Sequence, residues 1–92
     1  MSMSRLNLDA LKCVNTQGLP IYQVPILEEY IPKLMENIPA KYNDLLTKPY
    51  KSSKTNYYYI DVLCTGQEIT LECVERIINF CGDTRIIPLK FF

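Results

Sequence analysis

Four cysteines are the most reactive side chains in this sequence, and the chain contains no histidine to activate them. They are Cys13, Cys64, Cys73 and Cys81. A catalytic thiol needs access and a lowered pKa, which a neighbouring base or a helix amino terminus provides. Cys64 stands just before a predicted helix start, so the chemistry that these residues permit is that of a small thiol enzyme using Cys64 or Cys81.

A structural role is the simpler interpretation of the same cysteines. Each lies in an apolar periodic segment, which is typical of small buried hydrophobic residues in a reducing compartment. A disulfide is a second interpretation. A metal site is a third, disfavoured because the chain has neither a Cys-x-x-Cys spacing nor a histidine. We therefore expect no catalytic, metal-binding or cofactor-binding residues and no enzymatic activity.

Size and charge narrow the classes of function. The 92 residues form one domain near the lower size limit for a single core. The formal net charge is zero, whereas a nucleic-acid-binding protein normally has a basic excess. Lysines near Tyr50 and residues 57–59 leave stacking on single-stranded nucleic acid as an alternative, which the zero charge disfavours. Hydrophobic residues make up 48%, enough to leave apolar surface for self-association or a protein partner.

The sequence contains no recognisable targeting or membrane segment. Residues 1–11 lack the charged start and apolar run of a signal peptide. No stretch approaches the roughly 18 apolar residues of a membrane span. We expect neither membrane nor nucleic-acid partners, and a location in the cytoplasm, the nucleus or both.

The strongest structural pattern runs from Asn56 to Gly82. Residues 58–64 alternate in polarity with period two, which predicts a strand. Apolar residues then recur along one side of a predicted helix. The members of this apolar stripe are Ile69, Cys73, Val74, Ile77, Ile78 and Cys81. We expect the helix to begin after an N-cap at Thr70, with a capping box at residues 65–68 as the alternative start, and to end at Gly82.

The beginning of the chain predicts a β-hairpin. Residues 10–15 alternate in polarity, and residues 19–24 form a second strand-like segment. Turn residues separate the two segments, and among them Gly18 can adopt positive φ. Pro20 lacks an amide hydrogen, which places it near a strand start or on an edge.

Three prolines, Pro25, Pro32 and Pro39, follow at seven-residue intervals. Proline suits the first turn of a helix and discourages continuation of the preceding helix, so we predict two short helices that meet at an angle. Their apolar side is predicted to be Leu27, Tyr30, Ile31, Leu34, Met35 and Ile38. Their solvated side is predicted to be Glu28, Glu29, Lys33, Glu36 and Asn37.

The remaining segments have weaker patterns. Residues 1–9 are expected to form a flexible tail and residues 40–55 a mobile loop. Residues 84–92 are predicted to be extended and apolar, and their two terminal phenylalanines suggest a docking segment or a cut through a longer domain. The domain itself is predicted to span residues 10–92.

Five segments carry a family resemblance through their order and spacing. They are residues 11–18 (opening strand and turn), 21–24 (second strand), Ile31, Lys33 and Met35 (second short helix), 69–81 with Phe80 (helix after the third strand), and 85–92 (an extended isoleucine–proline segment). In this order they resemble the BTB/POZ fold. More narrowly, they are similar to the branch that contains elongin C and the Skp adaptor of cullin–RING ubiquitin ligases.

The resemblance implies an α+β domain, with a three-stranded sheet built from the hairpin and a third strand, two short helices and a longer amphipathic helix. It implies a non-catalytic adaptor that links a cullin to a substrate receptor. Ile77 and Phe80 would contact a receptor helix, with core filling as their alternative role. Phe91 and Phe92 would complete the partner surface, unless truncation alone exposes them.

Two departures from the family matter for this interpretation. The Skp and elongin C members continue into further helices, so the chain is expected to be a fragment or a shortened relative that a partner completes. Pro25 and Pro32 are atypical of the family, which alters any helix-mediated dimer. A BTB-like scaffold that forms homodimers, or that binds another BTB-like chain without a role in ubiquitination, is the alternative function.

Overall fold

The computed structural model describes residues 8–83 as a small α+β domain with a four-stranded antiparallel sheet and two α-helices. The strands are β1 (Lys12–Val14), β2 (Pro20–Ile26), β3 (Tyr50–Lys51) and β4 (Tyr58–Leu63), and the helices are α1 (Ile31–Asn37) and α2 (Glu68–Cys81). Short 3-10 helices cover Leu8–Leu11, Glu28–Tyr30 and Ala40–Tyr42. The strand order is β1-β2-β4-β3. The predicted α+β class is confirmed, but the sheet has four strands rather than three.

The predicted β-hairpin is confirmed. β1 and β2 pair antiparallel, with Cys13 opposite Ile21. The Asn15 side chain accepts hydrogen bonds from the backbone N–H groups of Gln17 and Leu19, each at 2.9 Å. Gly18 has a φ of +82°, as its place in the turn requires. β1 begins later than predicted, because the preceding 3-10 helix occupies Leu8–Leu11.

The predicted helix beginning at Pro25 is wrong, because β2 continues through this residue to Ile26. Val24 and Ile26 are buried on the core face, Pro25 between them is also buried, and pairing with β4 extends the strand past the proline. Pro25 still accepts a hydrogen bond, since the Asp83 backbone N–H donates to its carbonyl at 3.0 Å. Only a 3-10 turn, Glu28–Tyr30, precedes α1 in place of the first predicted helix.

The second predicted helix is confirmed as α1. Pro32 lies in its first turn, and the helix ends at Asn37 because Ile38, which precedes Pro39, is extended. The predicted solvated residues of this region are exposed. The predicted apolar side is only partly correct, since Leu34 is buried whereas Tyr30 and Met35 are exposed.

β4 and α2 supply much of the core, as the change of period from two to 3.6 predicts. β4 pairs with β2 along its whole length, and Ile60 and Val62 are fully buried. They pack with the buried stripe of α2, which consists of Cys73, Val74, Ile77, Ile78 and Cys81. Each such aliphatic side chain contributes about 1.5–3 kcal/mol when it is removed from water.

The helix start differs from both predicted caps. α2 begins at Glu68 after Gln67, which makes no side-chain capping hydrogen bond. Thr70 is buried within the first turn, and its hydroxyl donates to the Leu63 carbonyl at 3.3 Å. The hydroxyls of Thr65 and Thr70 also lie 2.6 Å apart. Thr70 therefore ties α2 to the end of β4 instead of capping the helix.

Residues 40–55 contain regular structure that their weak pattern does not predict. Tyr50 and Lys51 form β3 by pairing with Tyr59 and Tyr58 of β4. Leu46 forms an isolated bridge to Val62, on the same edge of β4. The predicted mobility of this segment stays a prediction.

The predicted extended segment at 84–92 and most of the predicted tail at 1–9 lie outside the described residues. Within residues 8–83, neither α-helix has the length and apolar character needed to cross a bilayer.

Gly82 ends α2, as predicted, but not through the left-handed conformation usual for such glycines. Its φ is −62°, and its backbone N–H donates to the Ile78 carbonyl at 2.9 Å. A Cβ at this position would lie only 2.8 Å from both the Cα and the carbonyl oxygen of Ile78. The close approach of two backbone segments therefore requires glycine here.

The substitution Gly82→Ala is expected to destabilise the fold by about 1–3 kcal/mol, because backbone atoms must move to admit the methyl group. Urea unfolding of the purified chain measures this loss. Gly18→Ala is the matched control. Its added Cβ would meet nothing within 4 Å, so any loss there comes from positive φ alone. If Gly82→Ala unfolds with the same free energy as wild type, the backbone at the end of α2 can move to admit the methyl group without cost.

Candidate functional site

An apolar cleft of about 280 Å³ lies between the end of α1 and the carboxyl-terminal half of α2. We call it the α1–α2 cleft. Its lining residues are Leu34, Asn37, Ile38, Pro39, Tyr42, Leu46, Cys73, Arg76, Ile77 and Phe80. Apart from Asn37 and Arg76, these side chains are aliphatic, aromatic or thiol-bearing. A concave apolar surface with few polar groups is typical of a binding site.

The cleft forms because the chain leaves the direction of α1 at Pro39. The residue before a proline disfavours helical backbone, and Ile38 is extended. The following 3-10 helix, Ala40–Tyr42, places the Tyr42 side chain in the core with 1% exposure. The bridge between Leu46 and β4 then holds the opposite end of this segment against the sheet.

Two of the four predicted partner-binding residues come together in this cleft. Phe80 is 42% exposed, whereas Ile77 is 3% exposed and belongs to the core cluster. Ile77 therefore fills the core and also lines the cleft, while Phe80 offers accessible aromatic surface. Phe91 and Phe92 lie outside the described residues. A role of any of these residues in binding a partner stays a prediction.

Sequence patterns missed Tyr42 and Leu46 as parts of this cleft. Both lie in the weakly patterned segment after Pro39 and reach the cleft through long-range contacts. The sequence does contain one signal for Tyr42: it is a large aromatic residue three positions after Pro39, the proline that follows the predicted helix.

The Tyr42 hydroxyl is buried and has no hydrogen-bond partner among residues 8–83. Burial raises the pKa of Tyr42, and the neighbouring Glu72 carboxylate raises it further, although the two groups do not reach hydrogen-bonding geometry. Lys41 lies above the tyrosine ring, with its Nζ 5.2 Å from the ring centroid. A buried hydroxyl left without a partner costs about 1–3 kcal/mol.

A half-exposed ion pair lies beside this tyrosine. The Lys41 Nζ donates to Glu72 Oε1 at 3.2 Å. This hydrogen bond raises the pKa of Lys41 and lowers the pKa of Glu72. Because solvent screens such a pair, it contributes little to stability. It engages one oxygen, Oε1, of the Glu72 carboxylate.

A second polar cluster lies on the sheet face opposite the core. The Gln23 side chain donates to the Tyr50 hydroxyl at 2.8 Å, and that hydroxyl donates to Asp61 Oδ1 at 2.7 Å. Burial raises the pKa of Tyr50 to about 12 and raises the pKa of Asp61. These bonds connect β2, β3 and β4 side by side. The raised pKa keeps the Tyr50 phenol protonated near neutral pH, so the hydroxyl both accepts and donates a hydrogen bond that links the strands.

The cysteines occupy three different environments, and all four thiols are free. The prediction that all are buried is wrong for Cys13, which is exposed on the edge strand β1. Cys73 and Cys81 are buried, and burial raises the pKa of each to about 11. Cys64 is partly buried after β4. An activated thiol nucleophile is accessible and has a lowered pKa, whereas Cys81 is buried and has a raised pKa.

Comparison of the chain with protein-family models, with curated proteins and with solved structures found no match. Its function must therefore be inferred from the geometry of the cleft and from the residue patterns.

Native-state alkylation with iodoacetamide is expected to modify Cys13 first and to leave Cys73 and Cys81 unmodified until the fold opens. Exposure controls access, and a pKa of about 11 leaves little thiolate at neutral pH for either buried thiol. Peptide mass spectrometry after timed quenching measures each site, and labelling in urea provides the control. Rapid native labelling of Cys81 would revive the thiol-enzyme hypothesis.

The substitution Tyr42→Phe is expected to leave stability unchanged or to raise it by about 1 kcal/mol, because it removes an unpaired buried hydroxyl and keeps the ring. Thermal or urea unfolding checks this. Tyr42→Ala is the contrasting variant and is expected to lose about 3–5 kcal/mol through the cavity it creates. A clear loss of stability in Tyr42→Phe would mean that the hydroxyl has a favourable interaction, for example with Glu72.

Proposed function

We propose that this protein is a non-catalytic interaction module whose α1–α2 cleft receives an apolar side chain of a protein partner. The observation that carries the proposal is Phe80, an aromatic residue that is 42% exposed and lines a mostly apolar cleft. Single exposed apolar residues are ordinary on protein surfaces. An exposed aromatic ring beside a concave apolar lining is more informative, since binding energy concentrates at such anchors and pockets.

Part of the cleft lining is continuous with the buried core, which suits a recognition role. Ile77 and Cys73 connect the lining directly to the buried core, so a partner side chain would meet preformed walls. Binding at a preformed site loses less conformational entropy than binding at a flexible one.

The finer proposal is a BTB/POZ-type adaptor similar to Skp and elongin C, which links a cullin to a substrate receptor in the cytoplasm or nucleus. Its support is the order of elements along the chain, in which a hairpin, a short helix, a strand and an amphipathic helix follow one another. β3 is an addition to the pattern expected from the resemblance, and the first of the two expected short helices is replaced by strand at Pro25 and by the 3-10 turn Glu28–Tyr30.

A second candidate function is a scaffold that joins copies of this chain or BTB-like relatives. The observation that favours it is β1, an edge strand that pairs only with β2 within residues 8–83. Val14 on this strand is 67% exposed. An unprotected edge can pair with another chain, although three residues make a short one.

The substitution Phe80→Ala is expected to weaken partner binding by about 30-fold, the loss typical of an interface hot spot, while unfolding remains cooperative. Quantitative affinity capture from the native cell, read by mass spectrometry, compares it with wild type. Leu71→Ala is the matched control, because Leu71 is 44% exposed on the same helix but does not line the cleft. Ile77→Ala is unsuitable, since removing this buried side chain costs about 2–5 kcal/mol of stability.

The identity of the proteins that Phe80→Ala loses and Leu71→Ala keeps separates the candidates. A cullin among them supports the adaptor. A stable dimer in light scattering, without any cullin, supports the scaffold. Equal binding by both variants and wild type would exclude the cleft as the partner site.

A further inference from the structure

We propose that the segment that enters the α1–α2 cleft presents a carboxylate beside its apolar anchor, and that Arg76 binds this carboxylate. The inference rests on the proposed function, because it describes the chemistry of a partner at that same cleft. It adds a specificity element to a site that is otherwise apolar.

Arg76 is placed to act together with Phe80. Both line the cleft, and they stand one turn apart on α2 at positions i and i+4. Side chains at this spacing are neighbours on a helix surface. A partner that covers Phe80 therefore comes within reach of the guanidinium.

The Arg76 guanidinium is available for a ligand. It is exposed, and it makes no ion pair or hydrogen bond within residues 8–83. The carboxylate four residues earlier, on Glu72, bonds to Lys41 at 3.2 Å; this bond lowers the pKa of Glu72, and the nearby charge of Arg76 lowers it further without an ion pair between Arg76 and Glu72. The other polar residue of the cleft, Asn37, is also engaged, since its side-chain amide donates to the Lys33 carbonyl.

The guanidinium of Arg76 favours a partner segment that carries a carboxylate. A partner that covers the cleft must remove water from the guanidinium, and an unpaired charge is costly to desolvate. A carboxylate compensates for this cost because it matches the planar fork of arginine with two parallel hydrogen bonds. An apolar peptide without an acidic residue would remove water from the guanidinium without supplying a hydrogen-bond acceptor, so it should bind more weakly.

A phage-displayed library of random 12-residue peptides, selected on the full chain, tests the proposal. We expect enriched peptides to combine a large apolar residue with Asp or Glu within about one helical turn of it. Fluorescence anisotropy with an enriched synthetic peptide then measures affinity. Arg76→Glu should weaken binding about tenfold or more, and changing the peptide's acidic residue to Lys should restore binding to this variant.

Lys33→Glu is the matched control, since it makes the same charge change at an exposed residue of α1 that does not line the cleft. It should alter binding far less than Arg76→Glu does. Thermal unfolding of each variant confirms that the fold is intact.

The outcomes separate this inference from the proposed function. If Phe80→Ala weakens peptide binding but Arg76→Glu does not, the carboxylate proposal is overturned and the cleft remains the binding site. If neither variant changes binding, or if no peptide is enriched, both proposals fail. Equal effects of Arg76→Glu and Lys33→Glu would mean that only general charge attraction operates, which also overturns recognition by Arg76.

Discussion

The structure depends on the double pairing of β2 and on the burial of its inner face. β2 pairs with β1 over its first residues and with β4 along its length. Its inward side chains, Tyr22, Val24 and Ile26, join the core beneath α2. The chain after α2 returns to the same strand, since the Asp83 N–H donates to the Pro25 carbonyl at 3.0 Å and Gly82 forms a bridge to Ile26. One strand therefore fixes both the sheet and the helix end that borders the α1–α2 cleft.

Sequence patterns predicted the elements whose burial repeats over many residues. The alternation in residues 58–64 corresponds to the burial of Ile60 and Val62, and the apolar stripe of α2 corresponds to its buried face. The helix predicted from Pro25 does not form, because the preference of proline for the first turn of a helix is weaker than the pairing of β2 with β4. β3 could not be predicted, because two residues show no period and their partner lies in a distant strand.

The cleft was predictable only where α2 forms it. Ile77 and Phe80 stand on or beside a regular helical stripe, so spacing alone brings them together. Tyr42 and Leu46 reach the same cleft because the chain changes direction after α1 and because Leu46 forms a bridge to Val62 of β4. No local sequence pattern predicts these contacts. The bond between Lys41 and Glu72 beside the cleft likewise joins residues far apart in the sequence, which no local pattern predicts.

The exposed thiol on β1 has a practical consequence for work on this molecule. Cys13 is an exposed residue on an outer strand of the sheet, which another copy can approach. In aerated buffer, two such sulfurs can oxidise to an intermolecular disulfide that persists regardless of affinity. A dimer band or scattering mass recorded without reductant then reflects covalent chemistry, and a Cys13→Ser chain distinguishes that artefact from genuine association.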